Sequence, residues 1–512
     1  MNIQERHPAL TSAATGQRGV PDTTQPVGDS RLRRVAAVLL LLVPPTTVVW
    51  AFRPGYMNVD SLILYGSTQG GPLTDWYAPV IQLLWDAADR LGIGHPTVIL
   101  FGQCVAMVVG CYLILRVAME RIGAALATVV LFALPTVFAH VMLVGRDMWL
   151  LGFALLQVGC LVRWVATPTA GARRTAWLTG AVGLGVLTIL TRQNAAALAF
   201  FPFVAMFVEI LRRRRPGTNA RRRLFASVGL SVAVCIATLA MAVVVQRVAG
   251  VTDARPEVPL YAFDLAGMSL EEGEILLAED VFPSQDLDRL RARWDPDDVV
   301  NILLPMTDRP VRAFGASAPV IDHLERSWRD AVLDHPAAYL RVRTNLFLRL
   351  IGVTAPPRLV MHVGIDQNRY GFTLANPSAN ETMRDYVAAF APSPNFAEGS
   401  DLFRPWPYLL IGLFAAVVLL RRRAGSPSSS SSSSTAGRVV ASMVLGALAY
   451  ESTFFFLAPG QGYRYSHPVI VMCLVAAVFA VAQRTRRGNV LSLEEDVDRS
   501  VPPPLAPDVV LR

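Results

Sequence analysis

Two carboxylates, Asp60 and Asp75, lie in the stretch NVDSLILYGSTQGGPLTDWYAPVIQLLW at residues 58–85, and Trp76 and Tyr77 directly follow the second. Three more short stretches set polar and charged groups side by side. They are VGRDMW with Arg146 and Asp147, LTRQNA with Arg192 and Asn194, and GQGYRYSHP with Tyr463, Arg464, Tyr465 and His467. An ionised carboxylate can take the proton of a hydroxyl. A guanidinium keeps its charge and offers a planar fork of donors, which suits a phosphate. Carboxylates near such arginines stay ionised. These residue types suit proton abstraction beside an anionic group, if the chain brings the four stretches together. Plainer uses exist. A lone arginine at a helix end also reaches lipid headgroups or pairs with a neighbouring acid. Asp60 also suits the N-cap of the helix that follows it.

The elements that must position these residues are set by composition. The chain has 512 residues, 53% hydrophobic and only 17% charged, with a mean hydropathy of +0.41. A soluble protein carries roughly a quarter charged residues, so this is an all-α integral membrane chain. Stretches long enough to span occur at about 35–52, 96–115, 123–143, 148–166, 176–191, 195–211, 224–247, 404–420, 439–458 and 467–483, about ten transmembrane helices in all. The chain has no lysine, so its 47 basic residues are arginines and its formal net charge is +8. The arginines cluster beside the apolar runs, as topology signals do, and do not argue for a nucleic-acid partner. The clusters around Arg34, Arg121, Arg173, Arg213, Arg222, Arg422 and Arg486 fall on one side if the helices alternate. That side is then the cytoplasm of a bacterial-type plasma membrane, with both termini on it and the four chemical stretches on the outer face. All five cysteines fall inside spans, so no disulfide framework or zinc site is expected.

The domain reading follows. Residues 1–34 form a polar, disordered cytoplasmic N-terminus, and the first apolar run is a retained signal anchor. A transmembrane catalytic core covers 35–250, with a first outer loop at 53–95. An extracytoplasmic insert, small and mostly helical, covers 251–402. C-terminal transmembrane helices cover 403–484, and a disordered cytoplasmic tail covers 485–512. Within the first loop, Trp76 to Leu91 has the pattern of a juxtamembrane helix, with Val80, Leu83 and Leu84 on one side and Asp86, Asp89 and Arg90 on the other. In the insert, Leu340 to Leu350 alternates arginine with apolar residues and is expected to lie on the bilayer surface. The serine run from Ser426 to Thr435 is low in complexity and expected to be flexible.

The early acid of the first outer loop, the second motif Asp75-Trp76-Tyr77-Ala78-Pro79-Val80 and the juxtamembrane helix resemble the GT-C superfamily of membrane glycosyltransferases. The nearest look is to the branch of protein O-mannosyltransferases and aminoarabinose transferases. That branch reads approximately D-E, a spacer, then D-x-H-P-P-L. Here Ser61 stands where the branch has Glu, and the His and first Pro of the second motif are replaced. The GRDMW turn is similar to the superfamily's second outer acidic motif. The resemblance covers roughly residues 35–250. It implies transfer of a sugar from a polyprenyl-phosphate donor to a hydroxyl acceptor (a cell-envelope glycan, lipid or protein), with inversion, beside membrane lipid. Asp60 would be the catalytic base. Arg146, Arg192 and Arg464 would hold the departing phosphate, and Asp75 and Asp147 would orient sugar or acceptor. Trp76, Tyr77, Asn194, Tyr463, Tyr465 and His467 would complete the substrate site. No dense acidic cluster is visible, so no obligatory metal or other cofactor is expected. Two other classes stay open. A transporter or lipid flippase calls for related halves, and no repeat is visible. A membrane scaffold or sensor built on the insert has no need for acids and arginines to converge.

Overall fold

A computed structural model describes residues 27–500, apart from 169, 216, 304–310, 312–315 and 422–430. The described residues form helices joined by loops, with only isolated β-bridges. The first half contains α1 (Val27–Phe52), α2 (Val59–Thr68), α3 (Pro79–Arg90), α4 (Pro96–Leu115), α5 (Arg121–Ala133), α6 (Pro135–Val141), α7 (Arg146–Ala166), α8 (Ala172–Thr191), α9 (Ala196–Arg214) and α10 (Ala220–Val248). The insert contains α11 (Val258–Glu272), α12 (Leu287–Arg293), α13 (Val300–Leu303), α14 (Ala318–Asp334), α15 (Pro336–Leu350) and α16 (Pro377–Ala388). The chain then returns through α17 (Pro405–Arg421), α18 (Ser431–Leu457) and α19 (Tyr463–Ser500).

Local chemistry sets the helix limits. Asn58 caps α2 by accepting the Ser61 N–H at 3.0 Å. Pro96 and Pro135 open α4 and α6 at positions where a missing N–H costs nothing. Pro135 also ends α5, because the residue before a proline is pushed out of the helical region. Leu134 is extended there, and α5 and α6 form a pair bent by 75°.

Among the described residues, seven helices are long and apolar enough to cross a membrane, or eight if the bent pair is one span. This is the make-up of a multi-pass membrane protein, but it does not reach the expected ten. All ten apolar stretches fall on helices. The two that fall short are α9 and α17. The last turns of α9 carry Glu209 and three successive arginines, Arg212 to Arg214, and α17 has only 17 residues. The most enclosed span is α7, with 83% of its apolar window buried, whereas α10 has only 17%. Close packing of α4 on α7 explains the difference. A Cβ on Gly110 of α4 would come within 2.6 Å of the Leu155 Cβ on α7, so only glycine admits this approach.

Both terminal boundaries shift. Helix α1 begins at Val27, inside the segment expected to be disordered, while residues 1–26 lie outside the described residues. Helix α19 continues to Ser500, beyond the expected end at 484, while 501–512 lie outside them. Arg, Leu and Glu propagate a helix readily once an apolar span has nucleated it. The serine run divides in the same way: α18 starts at Ser431, and 426–430 lie outside the described residues.

The insert has its own buried ion pair. Arg343 on α15 donates to Asp264 on α11 at 2.6 Å, and both side chains are fully buried. Trp328 on α14 donates to the same Asp264 oxygen at 2.8 Å, and Arg343 also donates to the Ala458 carbonyl at 2.6 Å. The expected surface helix is therefore a packed one. Val342, Leu346 and Leu350 are buried with Arg343, and Arg341 pairs with Glu271 at 3.0 Å. Alternation of arginine with leucine does not separate a bilayer-facing helix from one that buries an arginine against an acid distant in sequence.

Two measurements test this architecture. All five native cysteines are buried, so single cysteines placed by Thr218→Cys and Gln367→Cys report sidedness. A membrane-impermeant maleimide on sealed, oriented vesicles should label only one of the two. In the insert, Asp264→Asn should cost about 3–5 kcal/mol of stability, because it leaves the Arg343 charge buried without a counter-charge. Replacing the pair together, as Arg343→Met with Asp264→Leu, should restore most of the loss in thermal unfolding.

Candidate active site

One end of the bundle gathers the chain from four places. The cap on α2 belongs to Asn58, so Asp60, in the first turn, is not used as a cap. Its Oδ2 accepts from Arg464 Nη1 at 2.7 Å and its Oδ1 accepts from the Tyr77 hydroxyl at 3.0 Å. Arg146, at the start of α7, donates to the Trp76 carbonyl at 3.1 Å and lies 5.3 Å from the Tyr77 ring centre. Arg192 follows α8 in an extended conformation and pairs with Asp147, in the first turn of α7. Two guanidiniums lie against the Tyr465 ring, Arg192 at 5.1 Å and Arg464 at 5.2 Å from its centre. Arg146, Tyr77, Asp60, Arg464, Tyr465, Arg192 and Asp147 thus form one continuous chain of contacts.

The first loop is braced to hold Tyr77 in place. The buried Gln82 side chain on α3 donates to the Thr74 carbonyl at 2.7 Å and to the Tyr77 carbonyl at 3.2 Å. Trp85 donates to the Gly94 carbonyl at 2.7 Å. Helix α3 buries Ile81 and Trp85 and leaves Leu84 exposed, with Asp86 and Arg90 paired at 2.7 Å. The last loop is braced by the insert. Gln461 N–H donates to the Asp297 carbonyl at 2.7 Å, and Tyr463 N–H donates to the Arg358 carbonyl at 2.9 Å. Arg358 in turn holds Asp295 at 2.9 Å, and Arg349 holds Asp297 at 3.1 Å. These contacts, with Arg343 on Ala458, fix the loop that delivers Arg464.

The cluster holds three guanidiniums, Arg146, Arg192 and Arg464, against two carboxylates, Asp60 and Asp147. The cluster therefore carries one more positive than negative charge, with Arg146 held by the Trp76 carbonyl and the Tyr77 ring in place of a carboxylate. Burial on its own would raise the Asp60 carboxyl. The charges of Arg464 and Arg146 and the two hydrogen bonds outweigh burial and hold the group at about 2, below its ordinary 3.8. Burial and the Asp60 charge push the Tyr77 phenol well above its ordinary range, so it remains a donor. An ionised Asp60 pinned at both oxygens is oriented but weakly basic.

Not every expected site residue joins the cluster. Asp75 Oδ1 accepts the Ala254 N–H at 2.6 Å, so it ties the first loop to the start of the insert. Asn194 donates to the Thr453 hydroxyl at 2.8 Å and joins the turn after α8 to α18. Tyr463 and His467 are buried against α6, where Tyr463 donates to the Thr136 carbonyl at 2.6 Å and His467 Nε2 meets the Val137 carbonyl at 2.9 Å. On the helix, Arg464 is turned about 100° from Tyr463 and about 60° from His467, enough for its long side chain to reach Asp60 while the other two face α6. Trp76 contributes through its carbonyl.

Other residues at the site carried no readable signal. Phe454 packs under Arg192 at 5.3 Å and on Tyr465 at 5.0 Å, but in sequence it is one of a run of apolar residues. Gln82 is one polar residue in an amphipathic helix. The loop at 361–366 wraps around Met57, whose N–H donates to the Gly364 carbonyl at 3.2 Å and whose carbonyl accepts the Asp366 N–H at 2.9 Å. It places His362 edge-on to Tyr56, at 6.5 Å between ring centres. Burial lowers the His362 imidazole against the pull of Asp366.

No protein-family model matches this sequence, and no curated protein matches it. Solved structures do resemble it. The oligosaccharyltransferase AglB from Archaeoglobus fulgidus, in complex with an inhibitory peptide and a dolichol-phosphate, aligns over 93% of this chain and 52% of its own, with 12% identity and a TM-score of 0.38. The chain spans about half the length of that archaeal enzyme. ArnT from Cupriavidus metallidurans in the apo state aligns over 93% of this chain and 81% of its own, with 16% identity and a TM-score of 0.31. Its complex with undecaprenyl phosphate aligns over the same shares, with 12% identity and a TM-score of 0.29. At these scores the likeness is one of outline, and the geometry of the site carries the functional argument.

Acid tests the central pair. Asp60 has its carboxyl lowered on folding, so its stabilising contribution is complete above about pH 4 and fades as pH falls towards about 2. Thermal unfolding of the wild type should steepen its loss of stability across that window, and Asp60→Asn should flatten this limb.

Proposed function

We propose that this chain is a membrane glycosyltransferase of the GT-C type, moving a sugar from a polyprenyl-phosphate donor to a hydroxyl acceptor on the outer face, with inversion. The observation that carries the reading is the charge of the cluster. Three arginines, on α7, just after α8 and on α19, meet two carboxylates, and the surplus positive charge matches one lipid phosphate. The neighbouring enzymes were solved with a dolichol-phosphate and with undecaprenyl phosphate, and a carrier of that class is the donor proposed here.

The geometry suits an order of events. Asp60 is held by Arg464 and by Tyr77. A phosphate entering beside Arg464 competes for its guanidinium. As Arg464 turns to the phosphate, Asp60 Oδ2 loses its ion pair and becomes more basic, while Tyr77 keeps Oδ1 in place. The acceptor hydroxyl gives its proton to Asp60, and its oxygen bonds to the anomeric carbon. The bond from that carbon to the phosphate oxygen breaks, and the charge on the departing lipid phosphate falls on the arginines. Inversion requires the base and the departing phosphate on opposite faces of the sugar. The exposed flank of α3 provides a lipid boundary beside the first loop. Asp147 belongs here as the partner that orients Arg192. Asp75 belongs to the frame, since it is committed to Ala254.

Sugar release from a panel of polyprenyl-phosphate sugars, by purified protein in lipid, tests the proposal. Asp60→Asn should lower turnover by about 10²- to 10⁴-fold with carrier binding retained. Asp75→Asn, which can still accept the Ala254 N–H, should stay within about tenfold of wild type. Equal turnover in wild type and Asp60→Asn would remove Asp60 as the base.

A further inference from the structure

The 361–366 loop of the insert carries a titratable pair beside the site. The chain just before α2 holds this loop in register with Asp60. Tyr56 N–H donates to the Met142 carbonyl at 3.0 Å and the Tyr56 carbonyl accepts the Val144 N–H at 2.9 Å, while Met57 is bonded to Gly364 and Asp366. Asp60 follows Met57 by three residues. Within the loop, the His362 ring hydrogen-bonds the Met57 carbonyl and stands edge-on to Tyr56. Its Nε2 is buried and has no hydrogen-bond partner among the described residues, so the bond to Met57 is made by Nδ1. A carbonyl can only accept, so Nδ1 carries the hydrogen and Nε2 keeps a lone pair. Asp366 Oδ1 lies 3.6 Å from Nε2. That is too far for a hydrogen bond, and a carboxylate is itself an acceptor. Two acceptors thus face each other, and one proton between them would satisfy both. The charged groups that act on this imidazole are Asp366 from its own loop, Arg464 from α19 and Asp60 from α2.

On the glycosyl-transfer reading given above, we infer that His362 relieves Asp60 of the acceptor's proton in each cycle. The acceptor O–H bond breaks as its oxygen bonds to the anomeric carbon, and the proton goes to Asp60 Oδ2. The proton then passes to His362 Nε2, and Asp60 is a carboxylate again. The imidazolium is held by Asp366 and gives its proton to water, which reaches both side chains, 26% and 36% exposed. Asp60 needs such a relief. Its resting partner Arg464 binds the carboxylate, so the site is restored only when the proton has gone. Asp60 stands at about 2 and gives up a proton readily, and an imidazole is the stronger base. Burial weakens that base, and the negative charges of Asp366 and Asp60 oppose the effect.

Sugar release by the purified full chain in lipid, across the panel of polyprenyl-phosphate sugars, reads this step. His362→Ala should lower kcat by about 10²-fold with the donor KM little changed, and added imidazole should restore about tenfold of the loss. Imidazole should do nothing for Asp60→Asn. His362→Asn keeps a donor for the Met57 carbonyl and removes the base, so it should be as slow as His362→Ala yet unfold at the wild-type temperature. Wild-type turnover should fall as pH drops below about 6.5, because a protonated His362 accepts nothing, and His362→Asn should lack this limb. Wild-type rates in both His362 variants beside an inactive Asp60→Asn would overturn the relay and leave Asp60 as the base. So would a loss that imidazole does not restore and that keeps the acid limb, which marks a structural role. Full turnover in Asp60→Asn, or none in wild type across the panel, would remove the base and the relay together.

Discussion

The ion pair between Asp60 and Arg464 joins the first loop of the chain to the first turn of its last span. Arg464 stands where a helix dipole is least favourable to a cation, at an N-terminus. Its position is stable because Asp60 accepts from it and Tyr465 lies against it. Asp60, in turn, is free for this contact because Asn58 has taken the cap of α2. The remaining contacts at this end follow from the pair. Tyr77 orients the second carboxylate oxygen, Arg146 lies over Tyr77, and Arg192 also lies against the Tyr465 ring.

Such a pair needs both of its supports held still, and the insert does much of this. Its buried Arg343 grips the Ala458 carbonyl, and the backbones of Asp297 and Arg358 hold Gln461 and Tyr463. On the other side, Asp75 ties the first loop to Ala254, and the 364–366 turn hydrogen-bonds Met57. The insert is thus in contact with the strand of chain just before Asp60 and with the loop just before Arg464. A buried ion pair within the insert contributes little net stability compared with a well-packed apolar alternative, but it constrains geometry. Here the geometry constrained is that of Ala458 and the residues that follow.

Arginine serves different ends in different surroundings within this chain. At the site, each guanidinium has a carboxylate, a carbonyl or an aromatic face. In the insert, Arg343 is enclosed and held through its two terminal nitrogens by Asp264 and Ala458. On α9, Arg212 and Arg213 share Glu209. The residue type is constant, and what differs is the local supply of counter-charge.

The residues alone were enough to read a helical, multi-span chain, because spanning lengths of apolar sequence have few other uses. They also marked the stretches that meet at the site, because arginine and aspartate beside apolar runs are costly unless paired. The proline-limited starts of α4 and α6 and the amphipathic α3 are local effects, so they too lie close to the sequence, whereas the cap of α2 falls to Asn58 and not to Asp60. Partners are not local. Nothing near Asp75 in sequence indicates Ala254, and nothing near Arg343 indicates Asp264. The alternation around Arg343 suited a surface helix equally well until the tertiary fold supplied a buried acid. The turn of one helix also sorted Arg464 to the site while Tyr463 and His467 went to the core. Composition and periodicity determine which segments leave water and where charges sit along them. Only tertiary packing decides which charge meets which, because an ion pair depends on distance in space and the chain brings together residues far apart in sequence.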